Sequence, residues 1–419
     1  MTASAPAASG GGGALAPFRY PAFRAIWVAM LFSSIGSMIQ SVGAAWLMTD
    51  LTRSHQLIAL VQASATIPIL LLGVFAGAIA DNYDRRRVML LAQAGMLAAS
   101  ALLALLSWLG MIGPLSLLAL TLAVGLGTAL NGPAWQASVR LQVGPADLPQ
   151  AIALNSISFN LARSVGPALG GLLISLWNIS LAFALNAASF IGMIVVLFRW
   201  QPPRAEAGER AREPMLAAIR RGIRFCAASI PIRRVLLRGL LFGFGAAGSQ
   251  ALMPVVARDQ LHGTEISYGL MLGAFGIGSI VTALWVGKAR RRWGSEAVVS
   301  VATVAFAANT FLLGNASTLP VAMGALFLGG AGWVAAMTSL NVAMQLRSPD
   351  AILGRCLSIY QAVTFGGMAV GAYAWGAVAD WRGLGFALHA TTVWLIATLA
   401  LRIIAPMPRR DEGRVDPAT

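Results

Sequence analysis

The residues of this chain best placed to do chemistry stand in the stretch GAIADNYDRRR, residues 77–87. A long apolar run ends there in Asp81, and Arg85 follows four residues later. A carboxylate at the edge of an apolar region is costly unless a positive group neutralises it. Two partners are open: an arginine of the same short loop, or the positive N-terminal end of a neighbouring helix. The spacing therefore predicts an electrostatic contact at Asp81.

Arg163 is a charge inside another apolar run, SFNLARSVGP, residues 158–167. A charge in the middle of a membrane span costs about 2.5–3.5 kcal/mol on insertion scales, so it should face the protein interior or reach towards the membrane surface. Two interpretations stay open. In one, Arg163 attracts an anionic group of a substrate in a cavity. In the other, it is a structural tie to the end of a neighbouring helix.

Uncharged polar and aromatic residues recur inside the apolar runs, and ligand sites combine apolar walls with a few such groups. Each one alone fits an interhelical hydrogen bond better than a ligand contact. As a set, they are the candidate substrate contacts together with Arg163: Gln40, Trp46, Trp135, Gln136, Asn160, Gln250 and Gln361. All fifteen acids fall in loops, tails or at the ends of apolar runs, and Asp50 is the candidate group for proton coupling.

Enzyme chemistry finds no support in these residues. The sequence shows no nucleophile–base pair, no carboxylate pair within a span and no nucleotide-binding loop of the G-x-x-x-x-G-K-[ST] type. Three histidines lie far apart, and two cysteines, Cys226 and Cys356, have no metal-site spacing. We expect no enzyme activity, no cofactor and no metal.

Composition places these residues in a membrane. The chain has 419 residues, 58% hydrophobic and 11% charged, and its mean hydropathy is +0.74. Soluble domains carry about 25% charged residues. A membrane-spanning helix needs about 20 apolar residues, and twelve such spans are predicted at 22–49, 56–80, 87–109, 114–141, 149–177, 180–200, 231–257, 265–288, 296–314, 319–346, 352–379 and 384–405.

The net charge of +15 is distributed by membrane side. Arginines and lysines crowd one set of alternate span ends, whereas the opposite ends hold only Arg53, Arg258 and Arg382. This is the positive-inside pattern, which places both termini in the cytoplasm. A nucleic-acid-binding protein would instead cluster its charge on a soluble face.

A charged, proline-bearing linker divides the chain. We expect a disordered tail at 1–21, six spans at 22–200, a cytoplasmic linker at 201–230, six spans at 231–405 and a tail at 406–419. The linker segment LAAIRRGIRFCAAS is expected to form a helix, either on the membrane surface or in solvent. The halves echo each other at an offset near 205 residues, as in FRAIW (23–27) and IRRVL (232–236). Such a parallel repeat indicates a transporter with its site between the halves.

The stretch G-A-I-A-D-N-Y-D-R-R-R resembles the loop signature between helices 2 and 3 of the major facilitator superfamily. Gly77, Asp81, Arg85 and Arg86 match the signature, and Asp84 stands where the family usually has glycine. The resemblance covers nearly the whole chain and implies an all-α membrane protein of twelve helices in two pseudo-repeated six-helix halves. It also implies that Asp81 and Arg85 pair with the start of helix 11 and hold the cytoplasmic side closed. Arg86 is assigned to the same gate. The alternative is that its positive charge serves mainly to keep this loop on the cytoplasmic side of the membrane.

A second resemblance covers about 65 residues, mainly 131–172. These are similar to the branch of enterobactin exporters and macrolide-efflux-type proteins, the transmembrane secretion effectors. SVGPALGG (164–171) resembles the helix 5 element of exporters, and proline removes one backbone hydrogen bond there. The implied hinge residues are Gly166, Pro167, Gly170 and Gly171.

The expected function is export of a small amphipathic molecule, a siderophore or macrolide-like drug, by alternating access and proton antiport. The expected partners are the small-molecule substrate, the lipid bilayer and protons, with the protein acting as a monomer. Two alternatives stand beside it. One is an importer or facilitator of a small nutrient, and the other is a non-transporting membrane scaffold or sensor.

Overall fold

A computed structural model describes residue 13 and residues 15–201, 215–349 and 352–407, without the side chains of residues 74, 77, 78, 80–82 and 215–218. The described residues form α-helices joined by short turns. The first half holds α1 (Pro21–Leu51), α2 (His55–Asn82), α3 (Arg85–Trp108), α4 (Pro114–Ser138), α5 (Leu148–Leu176) and α6 (Ile179–Arg199). After these come α7 (Met215–Ala228), α8 (Ile230–Val255), α9 (Glu265–Gly314), α10 (Leu319–Arg347), α11 (Leu353–Arg382), α12 (Leu384–Thr398) and α13 (Leu401–Ile404).

The helices confirm the predicted fold class. Eleven helical segments of the described chain are long and apolar enough to cross a membrane. One of them, α9, has 50 residues, and at 1.5 Å per residue it would be about 75 Å long, far more than a bilayer core. Gly294 breaks it with φ 82°, a conformation that favours glycine. The break separates the eighth and ninth predicted spans, so the described helices provide twelve candidate membrane crossings.

Local sequence explains where several helices begin. Ser54 caps α2 by accepting a hydrogen bond from the Leu57 amide, and Asn178 caps α6 through the Leu181 amide. Asp84 caps α3, since its Oδ1 accepts a bond from the Arg87 amide at 3.0 Å. That cap gives a physical reason for an aspartate at the position where the family pattern has glycine.

The helices pack into two bundles that follow the chain. α1 packs against α5 and α6, and α4 against α2 and α3. In the second bundle, α9 packs against α10 and α12, and α8 against α11. Backbones approach closely here: a Cβ on Gly278 of α9 would overlap the Phe327 carbonyl, and one on Gly330 of α10 the Phe275 carbonyl. Small residues at such contacts let membrane helices pack by van der Waals attraction.

The linker helix predicted after span 6 is present as α7. It packs against α11 and α8, and also touches α2 of the first half. Its buried residues include Cys226, which shares an apolar cluster with Cys356 of α11, and both cysteines are free. Ile223 on the same helix is exposed. The predicted tails at 1–21 and 406–419 lie mostly outside the described residues, and so do residues 202–214.

Candidate functional site

The two halves meet along two pairs of helices, α2 with α11 and α5 with α9. We name the two ends of the bundle by residues. The His55 end holds the start of α2 and the end of α11, and the Arg86 end holds the start of α3. The space between the halves is the candidate site, because the sequence repeat places a transporter's site there.

The predicted hinge residues of α5 lie at helix contacts. Gly166 and Gly170 face α1, where an added Cβ would lie 2.6 Å from Met38 Cβ and 3.1 Å from Ile39 Cα. Gly171 faces α9 of the other half, and a Cβ there would overlap the Glu265 carbonyl. Helix α5 continues through Pro167 from Leu148 to Leu176. The glycines therefore permit close packing in this conformation, and the hinge remains a prediction.

Gly269 and Gly276 of α9 complete this contact between the halves. Added Cβ atoms would lie 2.7 Å from the Pro167 carbonyl oxygen and 2.8 Å from Ser164 Cα. The α5–α9 contact therefore runs from the His55 end to the middle of the membrane and is closest at these glycines.

Arg163 lies near the middle of the 29-residue α5. Its guanidinium carbon is 5.5 Å from the centre of the Phe275 ring on α9, a cation–π contact between the halves. Among the described residues it makes no hydrogen bond or ion pair, although the side chain is half-buried. A guanidinium carries five N–H donors. Five unused donors at mid-membrane are the strongest sign of a ligand in this structure.

Gln250 and Gln361 are the other predicted contacts that remain available. Gln250 of α8 has a buried Nε2 without a hydrogen-bond partner among the described residues. Gln361 of α11 lies on the same helical face as Met368, Ala372 and Ala379. Successive members of this set are seven, four and seven residues apart, which brings them to one side of a helix. Those three are buried, whereas Gln361 is exposed. The inner face of α11 thus borders open space near the Arg86 end.

Two of the remaining candidates, Gln40 and Trp135, contact residues of their own half. Gln40 accepts a 2.8 Å hydrogen bond from Asn186 of α6, within the first half. Trp135 belongs to an apolar cluster with Ile26 and Trp200. These contacts favour packing roles for Gln40 and Trp135, which we leave out of the proposed site.

Asn160 and Gln136 differ from those two residues. Asn160 donates to the Ser156 carbonyl of its own helix, and Gln136 is exposed near the end of α4. Trp46 stacks on Tyr268 of α9 at 6.3 Å between ring centres, which joins the halves towards the His55 end.

The His55 end is closed by polar contacts between the halves. Asp380 of α11 accepts hydrogen bonds from Ser54 Oγ (2.7 Å), the His55 amide (2.6 Å) and the Gln56 amide (3.1 Å) at the start of α2. These amides are donors that a helix N-terminus leaves free, and its dipole favours a carboxylate there. Asp380 therefore fastens the end of α11 to the start of α2.

Two further ion pairs surround this contact. The His55 ring lies between two carboxylates, with Nδ1 3.4 Å from Asp380 and Nε2 3.6 Å from Asp259. Asp50 Oδ1 lies 3.2 Å from Arg258 Nη1. Arg258 and Asp259 belong to one π-helical turn, Val256–Gln260, a form that often occurs at functional sites. The candidate coupling residue Asp50 is thus engaged in an ion pair across the halves.

At the Arg86 end, the predicted gate arginines bind helix ends of their own half. Arg85 Nη1 donates to the Ala137 carbonyl of α4 at 3.1 Å. Arg86 donates to the Leu197 and Phe198 carbonyls of α6 at 2.8 and 2.7 Å. Positive side chains commonly satisfy the free carbonyls at helix C-termini. The side chains of residues 77 and 81 lie outside the described part, so the Asp81 contact stays a prediction.

A buried carboxylate at the start of α5 was not among the predicted site residues. Asp147 is 1% exposed and accepts hydrogen bonds from Arg19 at 2.5 Å and Tyr20 at 2.9 Å. Arg19 and Tyr20 directly precede α1, so their hydrogen bonds to Asp147 fix the position at which the chain enters the bundle. The hydrogen bond with the Asp147 carboxylate raises the pKa of Arg19 further above its usual range.

Comparisons with known proteins agree with this architecture. A family model described as transmembrane secretion effector matches residues 12–419. The enterobactin exporter EntS of Shigella boydii serotype 4 is 28% identical over 394 residues, covering 91% of this chain and 92% of that protein. The exporter of the same name from Citrobacter koseri is 28% identical over 360 residues, covering 84% of each.

Solved structures share the fold at low sequence identity. A mutant of the nucleoside transporter NupG superposes with a TM-score of 0.76 at 14% identity, covering 92% of this chain and 99% of that one. A bacterial homologue of the lysosomal transporter Spinster has a TM-score of 0.72 at 15% identity, covering 93% and 97%. The protein is thus a multi-pass membrane transporter with the major facilitator fold, and it belongs to the transmembrane secretion effector family.

Proposed function

We propose that this transporter exports a small amphipathic molecule, of the siderophore or macrolide-like class, across a bacterial inner membrane, and that its site favours a substrate with anionic oxygen atoms. The observation that carries the proposal is Arg163, a guanidinium at mid-membrane with donors unused among the described residues. A planar guanidinium matches carboxylates and other paired oxygen atoms. The named relatives are enterobactin exporters, which supports the siderophore class and the outward direction.

The orientation follows from charge. Arginine and lysine residues are abundant at the Arg86 end, and the opposite end holds few. By the positive-inside rule, we place the Arg86 end and both termini in the cytoplasm. The closed His55 end and the exposed Gln361 then correspond to a transporter that is open towards the cytoplasm, ready to receive a substrate.

Transport requires the two halves to change their relative tilt about the site. The α5–α9 contact and the α2–α11 contact form the surfaces on which residues 22–200 move against residues 231–405. Gln250 Nε2 is the next candidate for a substrate contact, because a buried donor without a partner costs about 1–3 kcal/mol. Gln361, Gln136, Asn160 and Trp46 remain secondary candidates.

Proton antiport is the driving reaction we propose, with the protein working as a monomer. The sequence contains no nucleotide-binding loop that would supply energy from ATP. Asp50 is held by Arg258, so its part in proton exchange depends on the breaking of that pair. An uncoupler that collapses the proton gradient should therefore stop export from intact cells.

The gate at the Arg86 end gives a specific expectation. Asp81→Asn removes charge with little change in volume, so we expect normal expression and a fall in export of about fivefold or more, as for a lost coupling between conformations. Export rates in cells are the measurement, and Arg87→Gln, at an exposed position in the first turn of α3, is the matched control. Wild-type export by Asp81→Asn would contradict the gate.

The experiment that tests the function compares metabolites of cells and medium, with and without the gene, under iron limitation and in rich medium. An exporter predicts a compound that accumulates inside the deletion strain and is missing outside. Iron chelation by that compound would support the siderophore class. Depletion inside the deletion strain would indicate an importer. No difference in either medium or in drug susceptibility would favour a scaffold or sensor.

A further inference from the structure

The break in α9 leaves a groove on the membrane-facing side of the second half. The two arms of α9, residues 265–293 and 295–314, meet at Gly294, and both pack against α10. A cavity of about 650 Å³ lies between these three helical segments. We propose that this groove binds one anionic phospholipid, with an acyl chain in the cavity and the phosphate between Lys288 and Arg292.

The wall of the groove is apolar and opens towards lipid. Trp285 and Val301 stand on its open side and are 62% and 68% exposed. Among the described residues that line it none is charged, and Thr282 carries the sole hydroxyl group. Ala302 and Gly332 are buried at its base. Because lipid tails are as apolar as leucine, a chain binds here through van der Waals contact, and preference for one lipid must come from its headgroup.

The length of the groove matches one membrane leaflet. Its lining on the first arm of α9 extends from Val281 to Trp293. Twelve residues at 1.5 Å each give about 18 Å, and half of a hydrocarbon core of about 30 Å is about 15 Å. On α10 the lining residues Ala331 and Ala335 lie near the middle of the helix. The groove therefore extends from the middle of the membrane to the Arg86 end, as one acyl chain of that leaflet does.

Two positive side chains stand at the Arg86 end of the groove, one helical turn apart. Lys288 Nζ lies 5.0 Å from the centre of the Trp285 ring, and the Arg292 guanidinium carbon lies 5.9 Å from that of Trp293. These cation–π contacts keep both charges beside the two aromatic walls. Both side chains are exposed, and neither makes a hydrogen bond or ion pair among the described residues. Their donors match the oxygen atoms of a phosphate group.

The charge around this end favours an anionic headgroup over a zwitterionic one. The run ARRR, residues 289–292, adds further positive charge beside Lys288. The next acid along the chain, Glu296, is engaged by Arg238 at 2.9 Å and by the Met407 amide at 2.6 Å. Residues 408–419, outside the described part, contain three arginines and three acidic side chains. Basic clusters of this kind on the cytoplasmic side attract anionic lipids.

Other occupants fit these observations less well. The described residues that line the groove all belong to the second half, so the groove is separate from the proposed substrate site between the halves. A second copy of the chain, related by a two-fold axis along the membrane normal, would bring Lys288 and Arg292 towards the same residues of its partner. Like charges would then repel each other. A phospholipid supplies both the hydrocarbon chain and the opposite charge.

Native mass spectrometry of the delipidated full-length protein tests the proposal, because it counts bound lipids and copies of the chain together. The probes are phosphatidylglycerol, which is anionic, and phosphatidylcholine with the same acyl chains. We expect the first phosphatidylglycerol to bind about 10- to 30-fold more tightly than phosphatidylcholine. Lys288→Gln combined with Arg292→Gln should remove this preference, since each positive charge near anionic lipid contributes about fivefold in affinity.

Matched variants separate the groove from general attraction to a positive surface. Arg87→Gln combined with Arg199→Gln removes two exposed arginines at the same end of the bundle, and this control should keep wild-type affinity for phosphatidylglycerol. Ala305→Leu fills the groove from a half-buried position and should weaken the binding of both lipids alike. Melting temperatures without added lipid establish that each variant is folded.

Four results would overturn the proposal. The first is wild-type affinity for phosphatidylglycerol in the variant that lacks both Lys288 and Arg292, and the second is an equal loss in the Arg87 and Arg199 control. The third is displacement of the bound lipid by inorganic phosphate, which would assign the site to a free anion. The fourth is a lipid-free dimer, which would assign the groove to a second copy. The measurement involves no transport, so it is independent of the proposed export.

Discussion

Arg163→Gln is expected to lower export by about 10- to 150-fold while the protein remains folded. Hydrogen bonds to charged groups contribute about 1.5–3 kcal/mol, which corresponds to this loss in rate or affinity if the guanidinium binds the substrate. Arg163→Lys keeps the charge but loses the planar arrangement of donors, so it should fall between glutamine and the wild type. Export rates at several substrate concentrations separate weaker binding from slower turnover.

Stability distinguishes this role from a structural one. A charge at mid-membrane costs about 2.5–3.5 kcal/mol, more than the roughly 0.5–2 kcal/mol of a cation–π contact such as that with Phe275. Arg163→Gln should therefore leave the melting temperature of the purified protein unchanged or raise it. A clear fall in melting temperature, with export lost in proportion to the folded fraction, would identify Arg163 as a structural tie.

The sequence alone predicted the helices well, because their apolar length is a local property. The break between the eighth and ninth spans illustrates this. The arginine run ARRR and Gly294 interrupt hydrophobicity between residues 288 and 296, and the backbone turns at Gly294 with φ 82°. Likewise the apolar and basic spacing after the polar linker predicted a helix, and the structure has α7 there.

The His55 end could not be predicted, because its members come from distant parts of the chain. His55 and Asp380 are separated by 325 residues, and a lone histidine after the first span carries no signal of a partner. Asp380 was recognised only as an acid at the end of a span. Their contact depends on how α2 packs on α11, where a Cβ on Gly376 would lie 2.8 Å from Gln56 Cα. Only the tertiary structure supplies that information.

The sequence identified the polar residues within spans but not what they contact, again because the contacts depend on tertiary packing. The sequence placed Gln40 and Arg163 inside apolar helices but not on a particular side. In the structure Gln40 meets Asn186 within the first half, whereas Arg163 meets Phe275 of the second. Helical periodicity fixes which residues share a face, and only packing shows what that face contacts.

Gly171→Ala is expected to shift the transporter towards the state open at the His55 end. The new methyl group would overlap the Glu265 carbonyl, which is backbone and has little freedom to move. Overpacking of a close contact costs about 1–3 kcal/mol, which corresponds to a change of about 5- to 150-fold in the ratio of two conformations. Spin labels at Met111→Cys and Ser317→Cys, on exposed turns of the two halves, with Cys226 and Cys356 replaced by alanine, should report longer distances, and export should fall.

The control for this change is Gly192→Ala in α6 of the same half, where an added Cβ meets no atom within 4 Å. Alanine in an exposed helix stabilises it by about 0.5–1 kcal/mol over glycine, so this variant should keep wild-type export and melt no lower. Gly171 contacts the other half at the Glu265 carbonyl, whereas Gly192 has no such contact. If Gly171→Ala matched Gly192→Ala in distance, export and stability, the α5–α9 contact would not control the opening of the His55 end. A longer distance in Gly171→Ala alone would show that the α5–α9 contact controls the opening of the His55 end.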